Sequence, residues 1–164
     1  VLHDTESASA LGTARYFTQP NSGGSAHYVI DTRDIFQCLA DNEVPWGARS
    51  ASQISANTRG MHIEQVGFAR WNKEQWYDNI EMLLRTAWIT ARIAKKYKIP
   101  AVFVTSFNLI NSPKLKGITT HNEISLASKK LDPSNASRYD HTDPGPNWPR
   151  ALFMTMVKDL LSTV

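Results

Sequence analysis

The sequence predicts an α/β domain with a central mixed β-sheet flanked by helices, and three observations carry that reading. Short β-type segments alternate along the chain with helical ones, the pattern expected when helices pack on the faces of a sheet. Two of those segments, residues 26–31 and 35–39, are separated only by the turn residues Asp31, Thr32, Arg33 and Asp34, which signals an antiparallel hairpin inside the sheet. Residues 73–97 repeat apolar side chains at helical spacing, the mark of a long amphipathic helix.

The elements follow in order. Residues 1–5 read as the end of a strand, and residues 6–17 as a helix with Ala8, Leu11, Ala14 and Tyr16 near one face. Residues 19–25, rich in Pro, Asn, Ser and Gly, are a loop by composition. The hairpin comes next. In its second strand Cys38 alternates with Phe36 and Ala40 and reads as a small buried hydrophobe. Residues 45–57 are irregular, and residues 61–66 form another strand. The helix over 73–97 places Trp76, Ile80, Leu83, Leu84, Ala87, Trp88, Ala91 and Ala94 on its repeating face. Asn72 can cap it, with Gln75 completing a capping-box pattern, and Pro100 stops it. Residues 102–109 are ambiguous between strand and loop, and residues 116–120 read as a strand leading into His121. Residues 122–143 are long and polar, with turn signals at Asp132-Pro133 and Ser134-Asn135, and read as a functional loop. Residues 148–161 form a final helix after Pro144 and Pro146.

At 164 residues the chain fits one domain, residues 1–164. A chain of this size buries roughly two-thirds of its unfolded surface and needs no disulfide. None can form within it, because Cys38 is the only cysteine. The net charge of +3 is scattered. The densest cluster, Lys95-Lys96-Tyr97-Lys98, falls at a helix end where cations suit the helix dipole. No nucleic-acid partner is therefore expected, although a weak attraction to an anionic polymer fits the charge. No apolar run approaches the ~20 residues needed to cross a bilayer, and no signal peptide is legible, so no membrane partner is expected and the chain is read as a monomer. A strand that ends in His3 needs residues before it, so the chain is read as a domain cut from a longer protein. Localisation is not legible.

Five histidines punctuate the chain. His3 and His121 each follow a β-type segment at its end, where side chains can converge, and Asp143 precedes Pro-Gly-Pro. Two histidines and an aspartate are a three-ligand zinc set with a fourth position open, the catalytic rather than structural kind. On spacing alone the same residues also fit two ordinary histidines and a turn aspartate. Glu64 lies on the strand over 61–66, on the face of His62 and Val66 and opposite Ile63 and Gln65. A carboxylate in an apolar strand is costly to bury unless paired or useful, so Glu64 reads either as a general base or as a rim salt-bridge partner. Trp46 and Trp71 sit in loops, where they can stack on a ligand or pack. His27 reads as structural.

Six segments, in their order and spacing, carry a resemblance. They are Val1-Leu2-His3-Asp4-Thr5-Glu6, residues 25–31, Val44-Pro45-Trp46-Gly47-Ala48, His62-Ile63-Glu64-Gln65-Val66-Gly67, Thr120-His121-Asn122-Glu123-Ile124 and His141-Thr142-Asp143-Pro144-Gly145-Pro146. Together they resemble the zinc-dependent N-acetylmuramoyl-L-alanine amidases of the type-2 amidase group. Phage lysozyme-amidases, bacterial muropeptide-recycling amidases and animal peptidoglycan recognition proteins share that fold. The resemblance implies Zn2+ held by His3, His121 and Asp143. It implies that Glu64 is the catalytic glutamate of the recycling branch. His141 stands where several members carry a lysine that stabilises the transition state. The implied substrate is the amide between N-acetylmuramic acid and L-alanine in peptidoglycan, with muramyl peptide stems as the partner. Trp46, Asn122 and His62 are expected to contact substrate, a filler role being the competing and preferred reading for His62.

The chain also departs from the family pattern. Ala26 stands where the phage enzymes carry a catalytic tyrosine, so that role is vacant and does not pass to Tyr28. Gly47 stands where the family often has a histidine, in Trp-His-Ala-Gly, and His62 replaces a small residue. Three functions compete. The first is the amidase module of a phage endolysin, degrading the cell wall for host lysis. The second is a cytosolic amidase of soluble anhydro-muropeptides. The third is a non-catalytic peptidoglycan binder, which would often lack a zinc ligand. Because an imidazolium titrates near pH 6.5 and an ammonium does not, His141→Lys is expected to move the alkaline limb of the pH–rate profile upward. Coincident limbs for the two enzymes would remove His141 from the oxyanion role.

Overall fold

The β-type segments pair through three-residue cores. A computed structural model describes residues 1–164 and forms them into β1 (Leu2–Asp4), β2 (Tyr28–Ile30), β3 (Ile35–Gln37) and β4 (Ile63–Gln65). The sheet order is β1-β4-β2-β3. β2 and β3 make the expected antiparallel hairpin, and the other two pairings are parallel. Beyond β1 the sheet continues through single parallel bridges, Leu2 with Thr120 and Phe103 with Ile118. The Leu2 N–H donates to the Thr119 carbonyl at 2.9 Å, and the Ile118 N–H donates to the Val102 carbonyl at 2.9 Å. Around the sheet stand α1 (Ala10–Phe17), α2 (Ala56–Arg59), α3 (Lys73–Asp78), α4 (Ile80–Lys96), α5 (Ser106–Asn111), α6 (His121–Leu131) and α7 (Arg150–Leu161), with a short 3-10 helix over Pro133–Arg138.

Strand alternation divides the sheet into two faces. Leu2, Ile30 and Ile63 face α4 and α7 and join Met82, Leu83, Phe153 and Val157 in the main core. On that face the buried Gln65 ties elements together. Its Nε2 donates to the His3 carbonyl at 3.1 Å, and its Oε1 accepts from Trp148 Nε1 at 3.3 Å. His3, Glu64 and Val29 stand in register across β1, β4 and β2 on the opposite face. α1 covers the Val29 end of that face with Ala10 and Ala14, and Cys38 packs half-buried against the same cluster.

Six sequence expectations need correction. The first helix begins at Ala10 rather than residue 6, because Ser9 caps it through its side chain. Its buried stripe is Ala10 and Ala14, while Leu11 and Tyr16 are exposed. The long helix is two, α3 and α4, broken at Asn79, whose backbone leaves helical geometry (φ −105°, ψ 33°). The capping box at Asn72 and Gln75 is present, but Trp88 lies at the surface beneath the Arg92 guanidinium, not in the core. Residues 102–109 are a bridged edge followed by α5, started by a Thr105–Asn108 capping box. Residues 122–143 are mostly helical, in α6 and the 3-10 helix. Truncating Phe153, a fully buried residue of α7 in the main core, leaves a cavity that neighbours fill only in part. Phe153→Ala is expected to lower the unfolding free energy by roughly 3–5 kcal/mol in urea denaturation.

Candidate metal centre

The parallel bridge between Leu2 and Thr120 sets the residues that follow each of them side by side. His3 follows Leu2 on β1. His121 follows Thr120 and opens α6 rather than ending a strand, because Thr120 caps that helix through its side chain. The two imidazoles meet edge to face with centroids 4.8 Å apart. Asp143 arrives from the segment after the 3-10 helix. The Asn122 N–H donates to its carbonyl at 3.0 Å, and the Gly145 N–H closes a turn onto the Thr142 carbonyl at 2.9 Å. Gly145 has φ +93°, and its α-carbon lies so close to the Ala69 backbone that a Cβ would overlap it. Only glycine meets both demands.

His3, His121 and Asp143 thus converge, with one donor atom from each within 4.8 Å of the others. His3 Nδ1 lies 3.0 Å from Asp143 Oδ2, and His121 Nδ1 lies 3.1 Å from Asp143 Oδ1. Bonds of about 2.0–2.2 Å to imidazole nitrogen and carboxylate oxygen are zinc's ordinary ones. A central ion would need only small shifts of these side chains. The electrostatics suit a cation. Burial pushes the His3 imidazole down to about 4, against the opposing pull of Asp143, so the ring is neutral at pH 7 with a lone pair to give. Burial alone would raise Asp143, but contacts from His121, His141 and His3 outweigh it and hold the carboxylate well below the usual range.

Glu64 sits beside His3 in the register of β1 and β4. Burial raises its carboxyl well above the ordinary value, with Asp143 and then Asp4 adding to the shift. Its Oε2 is buried and has no hydrogen-bond partner. His141 is the accessible member of the group. Its side chain is 61 % exposed, its ring stacks on His121 at 4.1 Å, and its Nδ1 lies 3.5 Å from Asp143 Oδ1. The contact with Asp143, partly opposed by burial, raises its pKa.

The expected substrate contacts separate. Trp46 is 73 % exposed and free to stack. Asn122 lines a cleft of about 450 Å³ with Lys73, Tyr77, Phe103 and Trp148, whose walls include none of His3, Glu64, His121 or Asp143. His62 is 0 % exposed and lies behind His3, out of a substrate's reach. Burial pushes its ring well below the ordinary histidine range, and neighbouring His3 adds to the shift. Its link to His3 was not legible, because strand alternation names a face and not a neighbour. The helical placement of His121 did have a signal, since Thr120-x-x-Glu123 is a capping-box pattern.

Comparison with known proteins bears on the family and the fold. The sequence profile of the family described as N-acetylmuramoyl-L-alanine amidase matches residues 1–146. No curated protein matches the chain in sequence. Among solved structures, the chain is similar to the Staphylococcus aureus hydrolase AmiA in complex with its ligand, with 17% identity, 99% of this chain and 72% of that chain covered, and a TM-score of 0.67. It is similar to a mutant endolysin from Bacillus subtilis at 19% identity, covering 95% of this chain and 82% of that one with a TM-score of 0.58. The catalytic domain of XlyA is similar at 17% identity, with 95% and 82% covered and a TM-score of 0.59. At these identities the likeness is one of fold, a mixed sheet with helices around it. Replacing any one of His3, His121 or Asp143 by Ala is expected to weaken zinc binding by more than the roughly 10–100-fold typical of losing a residue behind a ligand, as read by competition with a chelator.

Proposed function

The chain belongs to the N-acetylmuramoyl-L-alanine amidase family, and from that premise we propose that His3, His121 and Asp143 hold Zn2+ for hydrolysis of the muramoyl–L-alanine amide of peptidoglycan. The proposed role is cell-wall degradation in the manner of an endolysin's amidase domain, an activity that an endolysin of the same fold makes natural. One observation supports the reading above the others. Three metal-competent donors, a buried unpartnered carboxylate oxygen on Glu64 and an accessible imidazole on His141 share one end of one sheet face.

When bound, zinc acts as a Lewis acid that polarises a carbonyl and lowers the pKa of water. The protein's own groups do the rest. Glu64 takes the proton of the attacking water in its ionised form, which a cation held by His3, His121 and Asp143 would favour against the opposing effect of burial. As the carbonyl carbon gains the water oxygen, His141 in its protonated form donates a charge-assisted hydrogen bond to the developing oxyanion. The C–N bond then breaks. The proton held by Glu64 passes to the departing L-alanine nitrogen, leaving a free amine and a lactyl carboxylic acid that loses its proton to solvent. The exposed Trp46 ring is proposed to meet sugar or peptide, and Asn122 to contact substrate along the separate cleft that it lines. The net charge of +3 favours an anionic wall polymer.

Glu64→Gln is expected to keep its zinc and to lose about 10²–10⁴-fold in release of L-alanine amino termini from purified cell wall. Wild-type release by that variant would remove Glu64 as the base. Rates on intact sacculi and on soluble anhydro-muropeptide distinguish wall degradation from muropeptide recycling, and the endolysin reading requires the sacculi to be cleaved.

A further inference from the structure

His3 has two ring nitrogens facing partners, Nδ1 toward Asp143 at 3.0 Å and Nε2 toward His62 Nδ1 at 3.0 Å. A metal ligand must present a bare nitrogen, so a neutral His3 that ligates through Nδ1 must carry its one proton on Nε2. Something has to accept that proton, and the geometry assigns the task to His62. We propose that His62 is a positioning residue that fixes the tautomer of His3 and so prepares its Nδ1 for zinc. The inference rests on the metal-centre reading above.

The argument runs backward from a carbonyl. His62 Nε2 lies 3.2 Å from the Ala56 carbonyl oxygen, which can only accept. His62 Nε2 therefore carries the proton. The ring is wholly buried and no carboxylate contacts it, so it holds one proton and its Nδ1 is a bare acceptor. The only donor within reach of that nitrogen is His3 Nε2–H. The chain of bonds runs from His3 Nε2–H to His62 Nδ1, and from His62 Nε2–H to the Ala56 carbonyl. With an ion bound, it leaves the lone pair of His3 Nδ1 for the place where Asp143 and His121 converge; with no ion there, that nitrogen faces the Asp143 carboxylate, which can only accept. A histidine ligand held by a hydrogen bond to its other nitrogen is a general device for fixing ring orientation and basicity. Here the holder is a second imidazole, itself anchored to main chain.

The surroundings hold that imidazole in one place. The His62 N–H donates to His27 Nδ1 at 3.1 Å, and His27 Nε2 meets the Glu43 carbonyl at 3.2 Å. His27 therefore carries its proton on the same ring position as His62. Gly47 lies against the His62 ring so closely that a Cβ there would overlap Nδ1, the nitrogen that receives the His3 proton. Gly47→Ala would thus disturb the relay while leaving the imidazole in the chain.

The test has a structural and a binding arm. Imidazole 15N–1H spectra of the zinc-bound wild-type protein are expected to show protons on Nε2 of both His3 and His62. A proton on His62 Nδ1, or a bare His3 Nε2, overturns the proposal without any variant. Zinc affinity, read by chelator competition, is expected to fall about 10–100-fold in His62→Phe, which fills the space but accepts no hydrogen bond. His62→Asn, which restores an acceptor near the Nδ1 position, is expected to recover most of that loss. Gly47→Ala is expected to resemble His62→Phe. If folded His62→Phe binds zinc as wild type does, the positioning role falls and the metal centre stands. If the wild-type protein binds no zinc, both fall together.

Discussion

The parallel pairing of β1 with its two neighbours is the constraint on which the rest of the site depends. One neighbour is β4, which sets Glu64 beside His3. The other is the stretch ending at Thr120, which sets His121 beside His3 through the Leu2–Thr120 bridge. Parallel strands deliver their ends to the same edge of the sheet, and that edge is where such sheets gather ligands. Alternation gives each strand's odd and even residues to opposite faces. Leu2 and Ile63 therefore build the core under α4 and α7, while the adjacent His3 and Glu64 build the site. A slip of one residue in either pairing would turn His3 or Glu64 into the apolar core and Leu2 or Ile63 out of it.

Burial governs the chemistry of that edge. His3, His62, Glu64 and Asp143 are all nearly sealed from solvent, where charge is costly unless compensated. The consequence has opposite signs for the two kinds of group. The buried imidazoles are driven to their neutral, electron-donating forms, and the Glu64 carboxyl is driven toward holding a proton. Asp143 escapes because three histidines surround it. The result is a cluster of donors with one dominant negative charge, a setting suited to a cation.

The two departures read from the sequence at Gly47 and His62 meet in space. Gly47 stands where a histidine is common, and His62 stands where a small residue is common. The structure shows that the ring at 62 lies in the space a side chain at 47 would need. The His62 imidazole thus sits buried behind a metal-competent histidine, in space that only a glycine at 47 leaves free.

The β-type segments, the hairpin, the capping box at Asn72 and the last helix were legible from the sequence, because each depends on neighbours within a few residues. So were the six segments of the family resemblance, and with them the residues of the candidate centre. Helix boundaries were less so. The 73–97 periodicity does not reveal a break at Asn79, and the polar residues of α6 hide its inward stripe of Ile124, Ala127 and Ser128. Which nitrogen of His3 faces Asp143, which ring stands behind it, and whether His62 meets solvent or protein were set only by tertiary structure. Those facts depend on strands and loops separated by dozens of residues, brought to hydrogen-bonding distance by the sheet register and by the room that Gly47 leaves.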